Sequence, residues 1–160
     1  MFEMFPEWFQ IFFGSMLPLL EARYLIPYAM LGLNWDWWQA FPIAIIGNFL
    51  PIPFILLFFK YVEKFLRKNN FWTRILNWLF ERTRKKANSR IRRYEYLGLL
   101  IFIAIPLPFT GAWTGALIAY LFDLDFTKSL ITIFIGLVIA AIIMIALTLT
   151  GQYIFFSFNG

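Results

Sequence analysis

Two stretches of this chain, Phe41 to Phe59 and Ser129 onward, hold no charged residue and are apolar for the length of a membrane crossing. A helix from Phe41 to Phe59 rises about 28 Å, close to the roughly 30 Å of bilayer hydrocarbon. Leu130 to Leu149 gives a second crossing of the same kind, with Gly136 and Ala140-Ala141 as a small-residue face for close helix contact. Composition agrees: 61% of the 160 residues are hydrophobic and 14% charged, against about 25% charged in ordinary soluble domains. A water-soluble core of this size has no room for 21 Phe, 7 Trp and 7 Tyr. The chain therefore reads as an all-α integral membrane protein.

The same composition removes whole classes of chemistry. Without His or Cys there is no disulfide framework, no Cys/His zinc site, no thiol nucleophile and no Ser-His or Cys-His pair. The apolar stretches supply no acid/base pair either, so the reading is not an enzyme, with no cofactor and no metal. Asp123 and Asp125 mark a membrane boundary better than a metal site.

The net charge of +5 is distributed unevenly. Between Lys60 and Glu95 lie 12 of the 14 basic residues and three acids, so this stretch carries +9 and the remainder −4. Flanked by apolar segments, it reads as a cytoplasmic loop under the positive-inside rule and not as a nucleic-acid site. Phe71, Trp72, Ile75, Leu76, Leu79 and Phe80 recur there at helical spacing, which predicts a helix lying on anionic headgroups. Trp35, Trp37 and Trp38 read as an interfacial belt on the other side.

The two remaining apolar stretches are interrupted. Trp8 to Leu20 meets Pro18 and the charged Glu21-Ala-Arg23, and Tyr24 to Trp35 contains Pro27 and Gly32. Each leg rises only about 18–20 Å as a helix, too short to cross. This pattern predicts a re-entrant hairpin with its tip at Glu21-Ala-Arg23. A single span through the ion pair would place charges near a helix centre at about 2.5–3.5 kcal/mol each. Tyr96 to Phe122 is uncharged, but its middle holds Pro106, Pro108, Gly111 and Gly115. A second hairpin competes there with one kinked span, and four breakers in ten residues favour the hairpin.

The two halves echo each other. Pro18-Leu19 and Pro106-Leu107 lie 88 residues apart, and Asp36/Asp125 and Gly47/Gly136 lie 89 apart. The expected architecture is a re-entrant hairpin (1–36), a transmembrane helix (37–60), a basic cytoplasmic segment (61–95), a second hairpin (96–123) and a last transmembrane helix (127–150). Counting crossings makes the halves inverted repeats with both termini outside, an arrangement of secondary transporters whose broken helices meet at a midplane site.

Glu21 and Arg23 are the only ionisable residues in the apolar stretches, which makes them the leading functional candidates. Two residues apart, they point away from each other on an ideal helix, so pairing needs non-helical backbone. A carboxylate that takes up protons near neutral pH requires Arg23 to be engaged elsewhere for part of a cycle. An anionic headgroup would engage it, and the bidentate fork of Arg suits phosphate. Asn48, Thr110, Thr114 and the carbonyls freed around Pro51, Pro106 and Pro108 are candidate polar contacts to such a substrate, and Pro18, Pro27, Pro106, Pro108 and Gly111 the hairpin breakers. A structural staple made of the same Glu-Arg pair is the alternative.

The runs Leu20-Glu-Ala-Arg-Tyr-Leu-Ile-Pro27, Gly47-Asn-Phe-Leu-Pro-Ile-Pro53, Trp78-Leu-Phe-Glu-Arg-Thr-Arg84 and Ala104-Ile-Pro-Leu-Pro-Phe-Thr-Gly-Ala-Trp-Thr-Gly115 resemble the prokaryotic small multidrug export protein family. That family is distantly similar to the DedA/VTT membrane proteins. The resemblance implies two inverted re-entrant hairpins and proton-coupled transport in the inner membrane, with polyprenyl-phosphate or phospholipid translocation in the wider group. It places Glu21 at the acidic position of the first hairpin, Pro18 and Pro27 at its prolines and Pro106 at the proline of the second. The arginines usual around the second DedA hairpin are missing between Arg93 and Lys128. The expected partners are protons, membrane lipids and an amphiphilic substrate, with homo-oligomerisation left open.

Overall fold

A computed structural model of the chain describes residues 5–18, 20–66, 68, 89–107 and 110–159. All regular structure among them is helical: α1 (Glu7–Met16), α2 (Glu21–Gly32), α3 (Trp37–Phe49), α4 (Pro51–Leu66), α5 (Ser89–Ala104), α6 (Ala112–Leu121) and α7 (Phe126–Asn159). Among the described residues two stretches are long and apolar enough to cross a membrane, Trp37–Phe59 and Phe126–Phe155. Both contain the predicted spans and extend them. The amphipathic helix expected near residues 71–82 lies outside the described residues, and helices α4 and α5 run into both ends of the basic segment.

Local chemistry sets the breaks. Helix α1 stops at Leu17, which is extended (φ −79°, ψ 140°), as the residue before Pro18 must be. This moves the first break to residues 17–20 and corrects its expected place at Glu21-Ala-Arg23, which instead forms the first turn of α2. Pro27 is a second correction, because it sits inside α2 and does not end it. It removes one backbone donor, to the carbonyl of Arg23, a loss that a helix packed among neighbours tolerates. Between α3 and α4 only Leu50 intervenes, with helical backbone (φ −53°, ψ −43°). Pro51 and Pro53 then fall in the first turn of α4, where proline is tolerated best.

The second interrupted stretch consists of two separate helices, α5 and α6, packed against each other, not one kinked span. Pro106 lies in the non-helical link, Gly111 caps α6, and Pro108 lies outside the described residues.

Helices α1 and α2 pack on α3, and α5 and α6 pack on α7; α2 also reaches α7, and α6 reaches α4. The glycines mark the closest approaches. Gly47 of α3 lies directly against the backbone carbonyl of Phe12 in α1, and Gly136 of α7 lies against Ile103 and the Leu100 carbonyl of α5. Other details recur 89 residues apart. Asn34 (φ 55°) and Asp123 (φ 52°) adopt left-handed backbone at the ends of α2 and α6. After α6 the Asp123 and Leu124 N–H groups return to the carbonyls of Tyr120 and Ala119, both at 3.0 Å, a Schellman closure. Across the mouth of each helix pair, Trp35 Nε1 donates to Glu7 Oε2 (2.9 Å) and the Asp125 N–H donates to the Tyr96 hydroxyl (2.9 Å). Asp125 Oδ1 also accepts the Lys128 N–H at 3.0 Å, so it caps α7.

Candidate functional site

The site forms where the link between α1 and α2 meets the link between α5 and α6. Glu21 opens α2 with φ 38°, a left-handed conformation that costs a non-glycine residue about 1–2 kcal/mol. That rotation answers the spacing problem. Residues two apart diverge on a regular helix, but here the Glu21 carboxylate turns back to meet Arg23, with Nε to Oε2 at 3.2 Å. Both side chains are buried, about 4–6% exposed.

Each partner also reaches across to the second link. Arg23 Nη1 donates to the carbonyl of Leu107 and, at 2.8 Å, to Thr110 Oγ1. Thr110 Oγ1 lies 2.8 Å from the carbonyls of both Ile105 and Leu107, to one of which it gives its proton. The Glu21 carboxylate lies directly on Gly111, the residue that caps α6, so that a side-chain carbon there would overlap it. A few residues away, Trp113 Nε1 donates to the carbonyl of Met16 at 3.1 Å and ties α6 to the end of α1.

One donor of this cluster is left over. Arg23 Nη2 is buried and has no hydrogen-bond partner among the described residues. An unmet donor on a buried guanidinium costs more than the roughly 1–3 kcal/mol of a neutral one, and an acceptor supplied from outside the chain would relieve it.

The sequence candidates separate accordingly. Glu21, Arg23, Thr110 and Gly111 come together. Thr114 is half-buried on α6, one turn beyond Gly111. Asn48 is 1% exposed on α3, and neither amide atom has a partner, so it does not bond to the Glu-Arg pair. Gly111 proves to be a contact surface for the carboxylate as well as a breaker. The carbonyl of Leu107, between Pro106 and Pro108, is one of the freed carbonyls expected there, but it accepts from Arg23. The nearby Pro106, which forces irregular backbone, was the available cue.

Helices long enough to cross a bilayer, together with a buried ion pair held between two broken helix pairs, define an integral membrane protein of helical type. The family comparison is specific: the family described as "Putative small multi-drug export protein" matches residues 21–143, and the chain belongs to that family. This family's description is that of a transporter and not of an enzyme. The match carries the small multidrug export part of the resemblance drawn from the sequence; the DedA/VTT part gains no support from it. No curated protein and no solved structure matches the chain.

Proposed function

We propose that this protein is a proton-coupled membrane transporter that exports or translocates an amphiphilic substrate with an anionic, phosphate-like headgroup. The observation that carries the reading is Arg23: a buried guanidinium with Nη2 unpartnered, at the meeting point of two broken helix pairs. A headgroup oxygen on Nη2 would complete its donors, and a second oxygen could compete with Glu21 for Nε. Glu21, freed from Arg23 while the substrate is bound, is the coupling carboxylate. Loading a proton on Glu21 and an anion on Arg23 together leaves the net charge of the buried cluster unchanged, the arrangement that a low-dielectric site tolerates best.

The architecture proposed with this function is a pair of inverted repeats, each a re-entrant hairpin and a crossing. Four recurrences at a spacing of 89 residues support it: the glycine contacts of Gly47 and Gly136, the left-handed Asn34 and Asp123, the mouth residues Glu7 and Tyr96, and the Asp36 and Asp125 positions that precede α3 and α7. Placed in the inner membrane with its basic segment cytoplasmic, the chain would carry the site near the midplane.

The test uses proteoliposomes with a pH gradient and a fluorescent long-chain alkyl phosphate. Glu21→Gln should abolish gradient-driven movement while the protein still melts cooperatively; unchanged movement removes Glu21 from the mechanism. A second reading has its own observation, since Arg23 already ties Glu21 to Leu107 and Thr110. A non-transporting membrane scaffold would need that staple alone. In that case the double swap Glu21→Arg with Arg23→Glu should preserve function, whereas a folded but inactive swap argues for the transporter.

A further inference from the structure

An apolar groove of about 700 Å³ lies beside the site without being part of it. Its upper end is walled by Met16 and Trp113, the two residues joined by the indole hydrogen bond. From there it follows α4 through Leu50, Phe54, Phe58 and on to Tyr61. Those eleven helical steps span about 16 Å, half of the roughly 30 Å hydrocarbon thickness. The groove is thus one leaflet deep, with one end at Met16 and Trp113 and its far end on the half of α4 that carries Lys60 and Lys64. Its wall is open to the surroundings: Phe54 is 68%, Phe58 62% and Tyr61 72% exposed.

We infer that this groove seats one hydrocarbon chain of an anionic lipid from the leaflet on the basic side, with its headgroup at the Tyr61 end and the chain terminus under Trp113. Two features select this occupant. The depth is that of one leaflet. Lys60 and Lys64 lie on α4 at the Tyr61 end with Glu63 between them, a net positive charge that suits an anionic headgroup. A helix of a second copy is the rival that the experiment separates. Since lipid tails are already in hydrocarbon, the chain gains little from the hydrophobic effect. What the groove supplies is register: it holds a lipid upright with its tail end beside the Glu21-Arg23 cluster. The seat does not rest on the transporter reading, which needs a headgroup and not a tail at Arg23.

The experiment uses the full chain in nanodiscs containing a trace of lipid with a photoactivatable diazirine, either at the chain terminus or near the glycerol. With a phosphatidic-acid headgroup, the terminal probe should label Met16 and Trp113, and the glycerol-proximal probe Tyr61, each at least fivefold above a diacylglycerol carrying the same chains. Ile55→Trp, which fills the groove wall, should remove both labels with the melting transition retained. Leu57→Trp, at a more exposed position, serves if Ile55→Trp does not fold. Equal labelling by the anionic and neutral lipids, labelling independent of probe position, or protein-protein cross-links at Phe54 and Phe58 would each overturn the seat. Absence of labelling in the unsubstituted chain with gradient-driven alkyl phosphate movement retained overturns the seat and leaves the transporter reading standing. Unchanged movement in Glu21→Gln with labelling intact removes Glu21 from the mechanism and leaves the seat standing.

Discussion

At the scale of single residues, the cluster depends on what is small as much as on what is charged. Gly111 has Glu21 directly against its α-carbon, so Gly111→Ala must displace the carboxylate, the ion pair or the start of α6. We expect a loss of about 1–3 kcal/mol, measurable as a lowered unfolding midpoint in detergent, with Gly98→Ala as the control because nothing lies within 4 Å of the side-chain carbon it would gain. Thr110 tests the other half of the cluster. Thr110→Val keeps the shape and removes one of the two acceptors of Arg23 Nη1, the Leu107 carbonyl remaining, and hydrogen bonds to charged groups contribute about 1.5–3 kcal/mol. The same unfolding assay should show a loss in that range for Val and recovery of most of it for Thr110→Ser. The charged pair was legible in the sequence because charges in apolar stretches are rare. Asn48, a residue of equally buried character, was legible as a candidate but not as a separate one, since type and hydropathy carry no information on which polar groups meet. The left-handed Glu21 was not legible, because glutamate has no preference for that conformation and adopts it only under tertiary constraint.

At the scale of elements, the two crossings were read from length and lack of charge; the first extends at its start to Trp37 and the second at both ends, to Phe126 and Phe155, through residues that tolerate both helix and interface. The break between α1 and α2 was expected at the charges and is found at Leu17 to Leu20, where the restriction imposed by Pro18 outweighs the polarity of the residues that follow. Pro27 shows the converse, a breaker overruled by packing. Element contacts make a further prediction. At Gly47 an added methyl group would meet the rigid backbone of Phe12, whereas at Gly136 the nearest atoms belong to the Ile103 side chain, at 2.9 Å. Gly47→Ala should therefore be the more damaging of the two, separating α1 from α3 against the closer-lying Phe12 carbonyl, while Gly136→Ala, with the Ile103 Cβ at 2.9 Å, needs a smaller displacement of α5. Thermal unfolding of both variants in the same detergent checks the order. A larger loss for Gly136→Ala would show that α5 and α7, not α1 and α3, form the tighter contact.

At the scale of the whole molecule, the proposed pair of re-entrant hairpins has a consequence that no local feature carries. If α1 and α2 enter and leave on one face, and α5 and α6 do the same on the other, only Trp37–Phe59 and the α7 helix cross, and two crossings return the chain to the side on which it began. If instead either interrupted stretch crossed as one kinked span, there would be three crossings and the two ends would lie on opposite sides. The absence of cysteine makes this a clean measurement, since each introduced thiol is the only one in the protein. Phe5→Cys and Ser157→Cys should both react with a membrane-impermeant maleimide added outside intact cells, and Asn88→Cys, within the basic segment, should react only after permeabilisation. Labelling of Phe5→Cys and Ser157→Cys from opposite sides would convert one hairpin into a span. It would also place the Glu21-Arg23 cluster between helices of the same sense, removing the inverted geometry on which alternating access to that cluster depends. The seam between the two links, where Arg23 holds Leu107 and Thr110, would then be a fixed joint inside a bundle and no longer the meeting point of two halves that can rock against each other.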